Sequence, residues 1–338
     1  KAGYLEIWEF HGTYCGTPQG GVLSPILANI YLDKLDKYMV EYISSFNIGK
    51  ARKRNPEYKR IGSRKDKRVK KLKNERDRQK IAALRMEIKK LHREMQQHPA
   101  TLDMDGNFKR MRYVRYADDF LIGVIGSKED CLKAKEDIKN FLLDKLKLEM
   151  SDEKTLITTG HDRAKFLGYE VTIRKTNKTR KNKKGIAIRS LDHKTVLLLP
   201  FEVMRDKLMG YKAMKIVREK GKEKWESTSR PYLRSNDDLE ILTRYNSEIR
   251  GIYNYYCLAN NVNILNDFYY IMKESMYKTF SSKYESTVRK IINKYTKDKI
   301  FRVQFEDNKG RMHERTLYHG GFKWKPEARI DDAHLLPS

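Results

Sequence analysis

Cysteine is scarce in this chain: 338 residues hold three, Cys15, Cys131 and Cys257, scattered and with no C-x-x-C pair. That pattern argues against a disulfide framework and a zinc site, and suits a reducing compartment. No apolar run approaches the length of a membrane span and no secretory leader is visible, so no membrane partner is expected. His313 and His319 have no cysteine or carboxylate neighbours at metal spacing and read as surface or packing residues. Acidic residues are outnumbered, 45 Asp and Glu against 72 Lys and Arg, for a formal net charge of +27. An excess of that size draws polyanions, nucleic acid foremost. The 21 tyrosines, several beside basic residues, suit stacking on nucleotides. The length is enough to bury a sizeable core and to form roughly two or three domains.

Against this basic background two adjacent carboxylates stand out. Residues 112–122 place Asp118 and Asp119 between runs rich in β-branched and aromatic residues, which predicts a β-hairpin with the acid pair at its turn. Two like charges side by side are costly unless a cation neutralises them. Hard oxygen ligands suit Mg²⁺, which takes one or two protein carboxylates plus substrate phosphates, and could clamp the oxygens of a phosphoryl transfer. The bland alternative is a solvated Asp-Asp turn. A second stretch begins as a turn, with Gly16, Pro18, Gln19 and Gly20, and becomes a helix. Ser24 can cap it, Pro25 takes the first helical position, and Leu27, Ile30, Tyr31 and Leu35 follow at helical spacing. Glycine permits close backbone approach, so Gln19 could reach a template nucleotide; an ordinary loop-to-helix junction would look the same.

Between residues 50 and 110 the composition shifts. The run Arg64, Lys65, Asp66, Lys67, Arg68, Val69, Lys70, Lys71 precedes an apolar stripe of Ile81, Leu84, Ile88, Leu91 and Met95. This predicts a helical hairpin ending near Pro99. Its charge reads either as a solvated face or as a phosphate-binding arm for RNA. Ser127 and Asp130 form a capping box for a helix to about Leu146, with Leu132, Ile138, Phe141, Leu142 and Leu146 as core. Lys154 lies in a turn expected to lead into a short strand. Phe166, Leu167, Gly168 and Tyr169 follow, where Gly168 marks either a close backbone approach or a bulge. Residues 174–184, almost wholly polar and basic, read as a linker. Beyond it Ser235, Asn236, Asp237 and Asp238 supply a cap for a helix with the stripe Leu242, Tyr245, Ile249, Tyr253 and Tyr256, leaving Arg250, Asn254 and Tyr255 off the stripe as candidates for RNA contact. Residues 268–295 read as a further basic helical stretch.

Tyr116, Ala117, Asp118 and Asp119 together resemble the catalytic hairpin of reverse transcriptases, and residues 113–122 resemble the form found in group II intron-encoded maturases. Pro18-Gln19-Gly20, followed by Ser24-Pro25-Ile26-Leu27-Ala28-Asn29, resembles the template-contacting motif of the same family. Residues 166–169 resemble its primer grip, and residues 238–256 its thumb, or maturase X, domain. The resemblance implies metal binding and catalysis by Asp118 and Asp119, with Lys154 as a general acid on the leaving pyrophosphate. It implies template and nucleotide contacts from Gly16, Pro18, Gln19, Gly20, Tyr116 and Ala117. An insertion at the place of the basic run also occurs in the family, which favours RNA contact by Arg64, Lys65, Lys67, Arg68, Lys70 and Lys71.

The fold so implied is α+β. A palm with a small antiparallel sheet would span 1–175, carrying the helical insertion at 50–110. An all-helical thumb would follow over 185–300, and the start of a DNA-binding region over 301–338. The implied partners are group II intron RNA, an RNA template, a DNA primer and deoxynucleoside triphosphates, in a bacterial cytoplasm or alternatively an organelle. The family's fingers and first metal-binding aspartate belong upstream of Lys1. The two-metal Mg²⁺ site would then be completed by a residue outside this chain, from a missing N-terminal segment or a second copy, and the isolated chain would polymerise little. The family's Cys-rich endonuclease is not expected here. A second reading stays open: an RNA-binding splicing maturase whose polymerase site is incomplete or vestigial.

Overall fold

Local caps set where most helices begin. In the computed structural model, which describes residues 3–6, 9–12, 23–102, 105–174, 179–181, 185, 187–189, 194–219, 221–307 and 309–326, the chain opens with strands β1 (Gly3–Glu6) and β2 (Glu9–Gly12). Helices α1 (Ser24–Phe46), α2 (Pro56–Asn74) and α3 (Arg78–Gln97) follow, then strands β3 (Arg110–Tyr116) and β4 (Asp119–Ile125) and helix α4 (Lys128–Leu146). Asn55 caps α2 by accepting from the Glu57 amide, and Asp77 caps α3 by accepting from Gln79. The Ser127–Asp130 capping box of α4 is present with both hydrogen bonds made. Next come β5 (Ala164–Phe166), β6 (Tyr169–Ile173), β7 (Thr179–Lys181), β8 (Ala187–Arg189), β9 (Thr195–Leu198) and α5 (Phe201–Gly210). The hairpin β10 (Met214–Glu219) and β11 (Lys222–Ser227) leads to α6 (Asp238–Tyr256), α7 (Leu265–Lys283) and α8 (Val288–Tyr295). The last described elements are β12 (Thr296–Lys297), β13 (Ile300–Glu306) and β14 (Met312–Thr316). Every strand pairing among the described residues is antiparallel.

The chain divides into two compact units, Lys1–His161 with Arg174–Lys194, and Asp162–Ile173 with Thr195–Ser338. In the first, α1 and α4 pack against the β3–β4 hairpin around Leu35, Met39, Met111, Ala134, Ile138, Leu142 and Leu146. The insertion forms the expected helical hairpin, its small core made by Ile61, Leu91 and Met95 and its base closed by bridges Ile48–Lys109 and Arg54–Thr101. In the second unit α6 and α7 pair over a larger core that includes Leu242, Tyr245, Ile249, Phe268, Met276 and Phe280. Asp237 caps α6 by accepting from the Glu240 amide.

The α+β mix agrees with the sequence, but several local expectations do not survive. Ser24 is the first helical residue, and Leu23 occupies the cap position without a side-chain hydrogen bond. Leu27, Ile30 and Tyr31 are exposed while Leu35 is buried, so the apolar stripe of α1 is covered only along its second half. Leu132 is 50% exposed, and Ala134 fills the core in its place. Residues 155–158 form no strand. In the stretch read as a linker, β7 pairs with β8. The second unit is helix-rich rather than all-helical, since the β10–β11 hairpin and the β12–β13–β14 sheet belong to it. Phe301, Val303 and Leu317 lie in its core, so residues 301–317 are not separate from the helices, and the β5–β6 hairpin belongs to the same unit. No described helix is long and apolar enough to cross a membrane.

Candidate functional site

The β3–β4 register pairs Tyr116 with Asp119, which leaves Ala117 and Asp118 as a two-residue turn with Ala117 at a φ of +52°. Strand alternation then sorts the side chains. Met111, Tyr113 and Arg115 point toward α1, while Arg112, Val114 and Tyr116 lie on the exposed face. Asp119, directly opposite Tyr116, shares that open face. Asp118 and Asp119 are both exposed, and among the described residues neither enters an ion pair.

The cation nearest in sequence is committed elsewhere. Arg115 donates from Nε and Nη2 to the two oxygens of Asp36 on α1, at 2.9 and 2.6 Å. Its Nη1 donates to the Ala117 carbonyl at 2.6 Å and to Asn29 Oδ1 at 3.1 Å. Tyr113 Oη adds a third hydrogen bond to Asp36 at 2.9 Å. A chain of contacts thus runs from α1 through Asp36 and Arg115 to the backbone of the acid turn, orienting it without quenching its charge. The Arg115 guanidinium holds the Asp36 carboxyl below the usual carboxylate range, and burial pushes the Tyr113 phenol up. Sequence reasoning does not find Asp36, Arg115, Tyr113 and Asn29; the only signal is the alternation that puts Tyr113 and Arg115 on one face of β3.

The pKa of Asp36 makes this brace testable by pH. A carboxyl whose folded value lies below its unfolded value stabilises above about pH 4, and that contribution is lost as pH falls through the lowered value. Asp36→Asn should therefore lower stability at pH 7 by about 1–2 kcal/mol, the part exposure of Asp36 weakening the pair. The difference between variant and parent should shrink on acidification toward pH 2. A constant difference across that range, read by urea denaturation, would show that the carboxylate charge is not what holds the hairpin.

The donors at the turn suit a hard cation. Two carboxylates with free acceptor positions match Mg²⁺, which is completed by substrate phosphates and water. Among the described residues no group of three or more His, Cys, Asp or Glu converges to hold a metal. Asp118 and Asp119 therefore offer part of a coordination set, and nothing else among the described residues offers the rest.

The other expected site residues fall in four places. Gly16, Pro18, Gln19 and Gly20 lie outside the described residues. Lys154 is exposed in a turn at residues 152–154, where Asp152 pairs with Lys135 and Lys139. No hydrogen bond or ion pair among the described residues joins Lys154 to the acid turn. On α2, Arg64, Lys67, Lys70 and Lys71 are exposed and enter no ion pair among the described residues. Arg68 instead pairs with Glu87 of α3 at 2.8 Å, and Lys65 lies 3.9 Å from Asp66. Arg64, Lys67 and Lys71, with Arg60, follow at i, i+3 or i+4 spacing and so line one face of the helix.

The fourth group lies at the β5–β6 turn and along α6. Phe166 pairs with Tyr169 across it, leaving Leu167 and Gly168 as the turn residues. Tyr169 stacks on Tyr255, with ring centroids 5.8 Å apart, and packs against Tyr256 at 5.0 Å. Burial pushes the Tyr169 phenol up to about 12. Tyr255 thus joins the hairpin through its hydroxyl while its ring stays exposed. Arg250 lies 5.9 Å over the Tyr318 ring, and Asn254, also exposed, accepts the Cys257 thiol at its carbonyl.

Comparison with known proteins adds two matches along the chain. A family model described as "Reverse transcriptase (RNA-dependent DNA polymerase)" matches residues 82–171, which contain the acid hairpin and the β5–β6 turn. A second, "Type II intron maturase", matches residues 192–323. The group II intron-encoded protein LtrA of Lactococcus lactis subsp. cremoris is 42% identical over 299 residues, covering 87% of this chain and 48% of the relative. The putative COX1/OXI3 intron 1 protein of Saccharomyces cerevisiae is 35% identical over 355 residues, covering 98% of this chain and 39% of the relative. The chain thus spans about half, or less, of the length of these curated relatives.

Proposed function

Because the chain belongs to the family of group II intron-encoded reverse transcriptases and maturases, we propose that the protein carrying it copies RNA into DNA and also binds its intron RNA to assist splicing and mobility. The observation that carries the polymerase part is the exposed acid turn, braced by Arg115 and Asp36 and left without a neutralising partner among the described residues. A retired site has no reason to keep two adjacent carboxylates at its turn.

In this reading Asp118 and Asp119 would hold Mg²⁺ with further ligands beyond those the described residues bring together. When bound, Mg²⁺ supplies the charge stabilisation that lets a primer 3′-hydroxyl displace pyrophosphate from a deoxynucleoside triphosphate. Tyr116 and Ala117 line the turn where the nucleotide arrives, and the small Ala117 side chain leaves room for it. Gly16, Pro18, Gln19 and Gly20 contact the template base and backbone. Lys154 gives a proton to the departing pyrophosphate. Phe166, Leu167, Gly168 and Tyr169 meet the primer end, while Arg250, Asn254 and Tyr255 lie toward RNA on α6. The palm would lie chiefly in the unit of residues 1–161, and the thumb in the unit that runs from Thr195 through the β12–β13–β14 sheet. Intron RNA would be met in a bacterial cytoplasm or an organelle. The test is primer extension on an RNA template by the protein that carries this chain: Mg²⁺-dependent incorporation is expected, and its absence at every Mg²⁺ concentration would sink the polymerase reading.

The splicing part rests on α2. If Arg64, Lys67, Lys70 and Lys71 meet RNA phosphates, replacing all four with Gln should weaken intron RNA binding. The log–log salt slope should become shallower by about 0.7–0.9 for each phosphate that is no longer neutralised. Lys65 and Arg68 should matter less for binding, because Arg68 is occupied by Glu87 and Lys65 is only half-buried beside Asp66. Splicing assistance should fall with binding, and extension of a generic primer–template should change far less. An unchanged slope with unchanged splicing would mark the run as a solvated face.

A further inference from the structure

Both central residues of the β5–β6 turn have positive φ, +48° at Leu167 and +72° at Gly168. Turns of this kind favour Asn-Gly or Asp-Gly, and a leucine at the first position is strained. Such strain persists where the surroundings over-determine it. Here they are two consecutive tyrosines at the end of α6. Tyr255 Oη donates to the Leu167 carbonyl at 2.8 Å, and Tyr256 Oη donates to the Gly168 carbonyl at 3.1 Å. The Tyr169 hydroxyl returns a hydrogen bond to the Tyr255 carbonyl. A Cβ at residue 168 would come 3.0 Å from Tyr256 Oη, tighter than an ordinary contact, and the positive φ itself favours glycine there.

We propose that Tyr255 and Tyr256 are positioning residues, whose two hydroxyls clamp the turn carbonyls and so fix the hairpin in the form that receives a primer backbone phosphate. The proposal rests on the reading of residues 166–169 as the primer-contacting hairpin. Peptide planarity gives the clamp its consequence. In a trans peptide the N–H points opposite to the carbonyl, so holding the Leu167 oxygen toward α6 turns the Gly168 N–H away from it. Gly168 is exposed, and with no side chain its amide is open to a phosphate oxygen. Freed of the tyrosine hydroxyls, the Leu167–Gly168 peptide can rotate toward unstrained conformations and the donor is misdirected. Burial keeps the Tyr256 and Tyr169 phenols protonated well past neutral pH, so these two stay donors under working conditions.

The test uses the polymerase-active protein that carries this chain, with Tyr255→Phe, Tyr256→Phe and the double variant. These keep the rings, so melting should stay close to that of the parent. Two readouts are taken: steady-state kinetics in primer–template, and crosslinking from a primer with a photoreactive 3′-terminal nucleotide, mapped to peptides. The double variant should raise KM for primer–template about tenfold with kcat nearly unchanged, and should lose crosslinking to residues 166–169. If the parent crosslinks there but the variants keep both crosslink and KM, the clamp is refuted while the primer reading stands. If kcat and melting fall together with no separate KM effect, the tyrosines are only packing and the proposal fails. If the parent gives no crosslink to the hairpin, the primer reading fails and the clamp's role falls with it.

Discussion

With Asp118 and Asp119 both replaced by alanine, cDNA synthesis should fall by about a thousandfold or more, while intron RNA affinity stays within about twofold of the parent. The two outcomes separate because the two tasks use different parts of the surface. The carboxylates are exposed and support no other side chain through an ion pair among the described residues. Hairpin geometry does not depend on them either: the register from Arg110–Ile125 to Tyr116–Asp119 is a backbone ladder, and Arg115 braces the turn through the Ala117 carbonyl. RNA binding, on the proposed reading, is spread over many cations, and removing two anions should not weaken it. Single variants should be graded, Asp118→Ala the more severe, since Asp119 can act by orienting water or a second ion. Equal polymerase rates for double variant and parent would refute the catalytic role. A loss of RNA affinity in step with activity would mean that the hairpin had collapsed.

The second large effect is on stability, in the other unit. Arg230 is fully buried, and its guanidinium makes a two-pronged pair with Glu248 of α6 at 2.7 and 2.8 Å. Its backbone N–H donates to Thr279 of α7, and the Tyr245 ring lies 4.8 Å below the guanidinium. Removing Glu248 strands the Arg230 charge in a place water does not reach, whereas removing Arg230 leaves Glu248 paired with Arg244 of α6 at 2.8 Å. Glu248→Ala should therefore cost about 3–5 kcal/mol, lowering the melting temperature by on the order of ten degrees. Arg230→Met combined with Glu248→Leu should cost much less than Glu248→Leu alone, because no buried charge is left behind. Thermal unfolding of the four proteins settles the matter. Single variants that melt with the parent would show that the pair is solvated and contributes nothing.

Neither partner of that pair is legible in the sequence, and the reason is general to this chain. Helical periodicity picks out Leu242, Tyr245, Ile249 and Tyr256 correctly as the inward face of α6. Glu248 lies beside that face, and nothing local says that an arginine 18 residues earlier will neutralise it. Asp36 and Arg115, 79 residues apart, are hidden for the same reason. Features carried by adjacent residues read well: the Ser127–Asp130 box, the acid turn, and the existence of the α2–α3 hairpin. Periodicity also misleads where it cannot say what covers a face. Leu27, Ile30 and Tyr31 keep the stripe of α1 but lie exposed, whereas Leu35 and Met39, one and two turns on, are sealed by the β3–β4 hairpin and α4. Strands β7 and β8, three residues each, are too short for an alternation to show in the sequence. In β13 the alternation of Phe301 and Val303 is visible, yet the expected domain boundary falls across it.

The most direct measurement of the central claim locates the metal rather than counting its products. In the protein carrying this chain, bound to primer–template and an incoming nucleotide, Fe²⁺ would replace Mg²⁺ and be made to cleave the polypeptide by locally generated hydroxyl radicals. Cuts within residues 115–121 are the expected result, and they should vanish in the Asp118→Ala, Asp119→Ala variant or when excess Mg²⁺ competes. Cleavage confined to other parts of the chain, or cuts near the turn that persist in that variant, would contradict the assignment of the acid hairpin as the metal-holding centre.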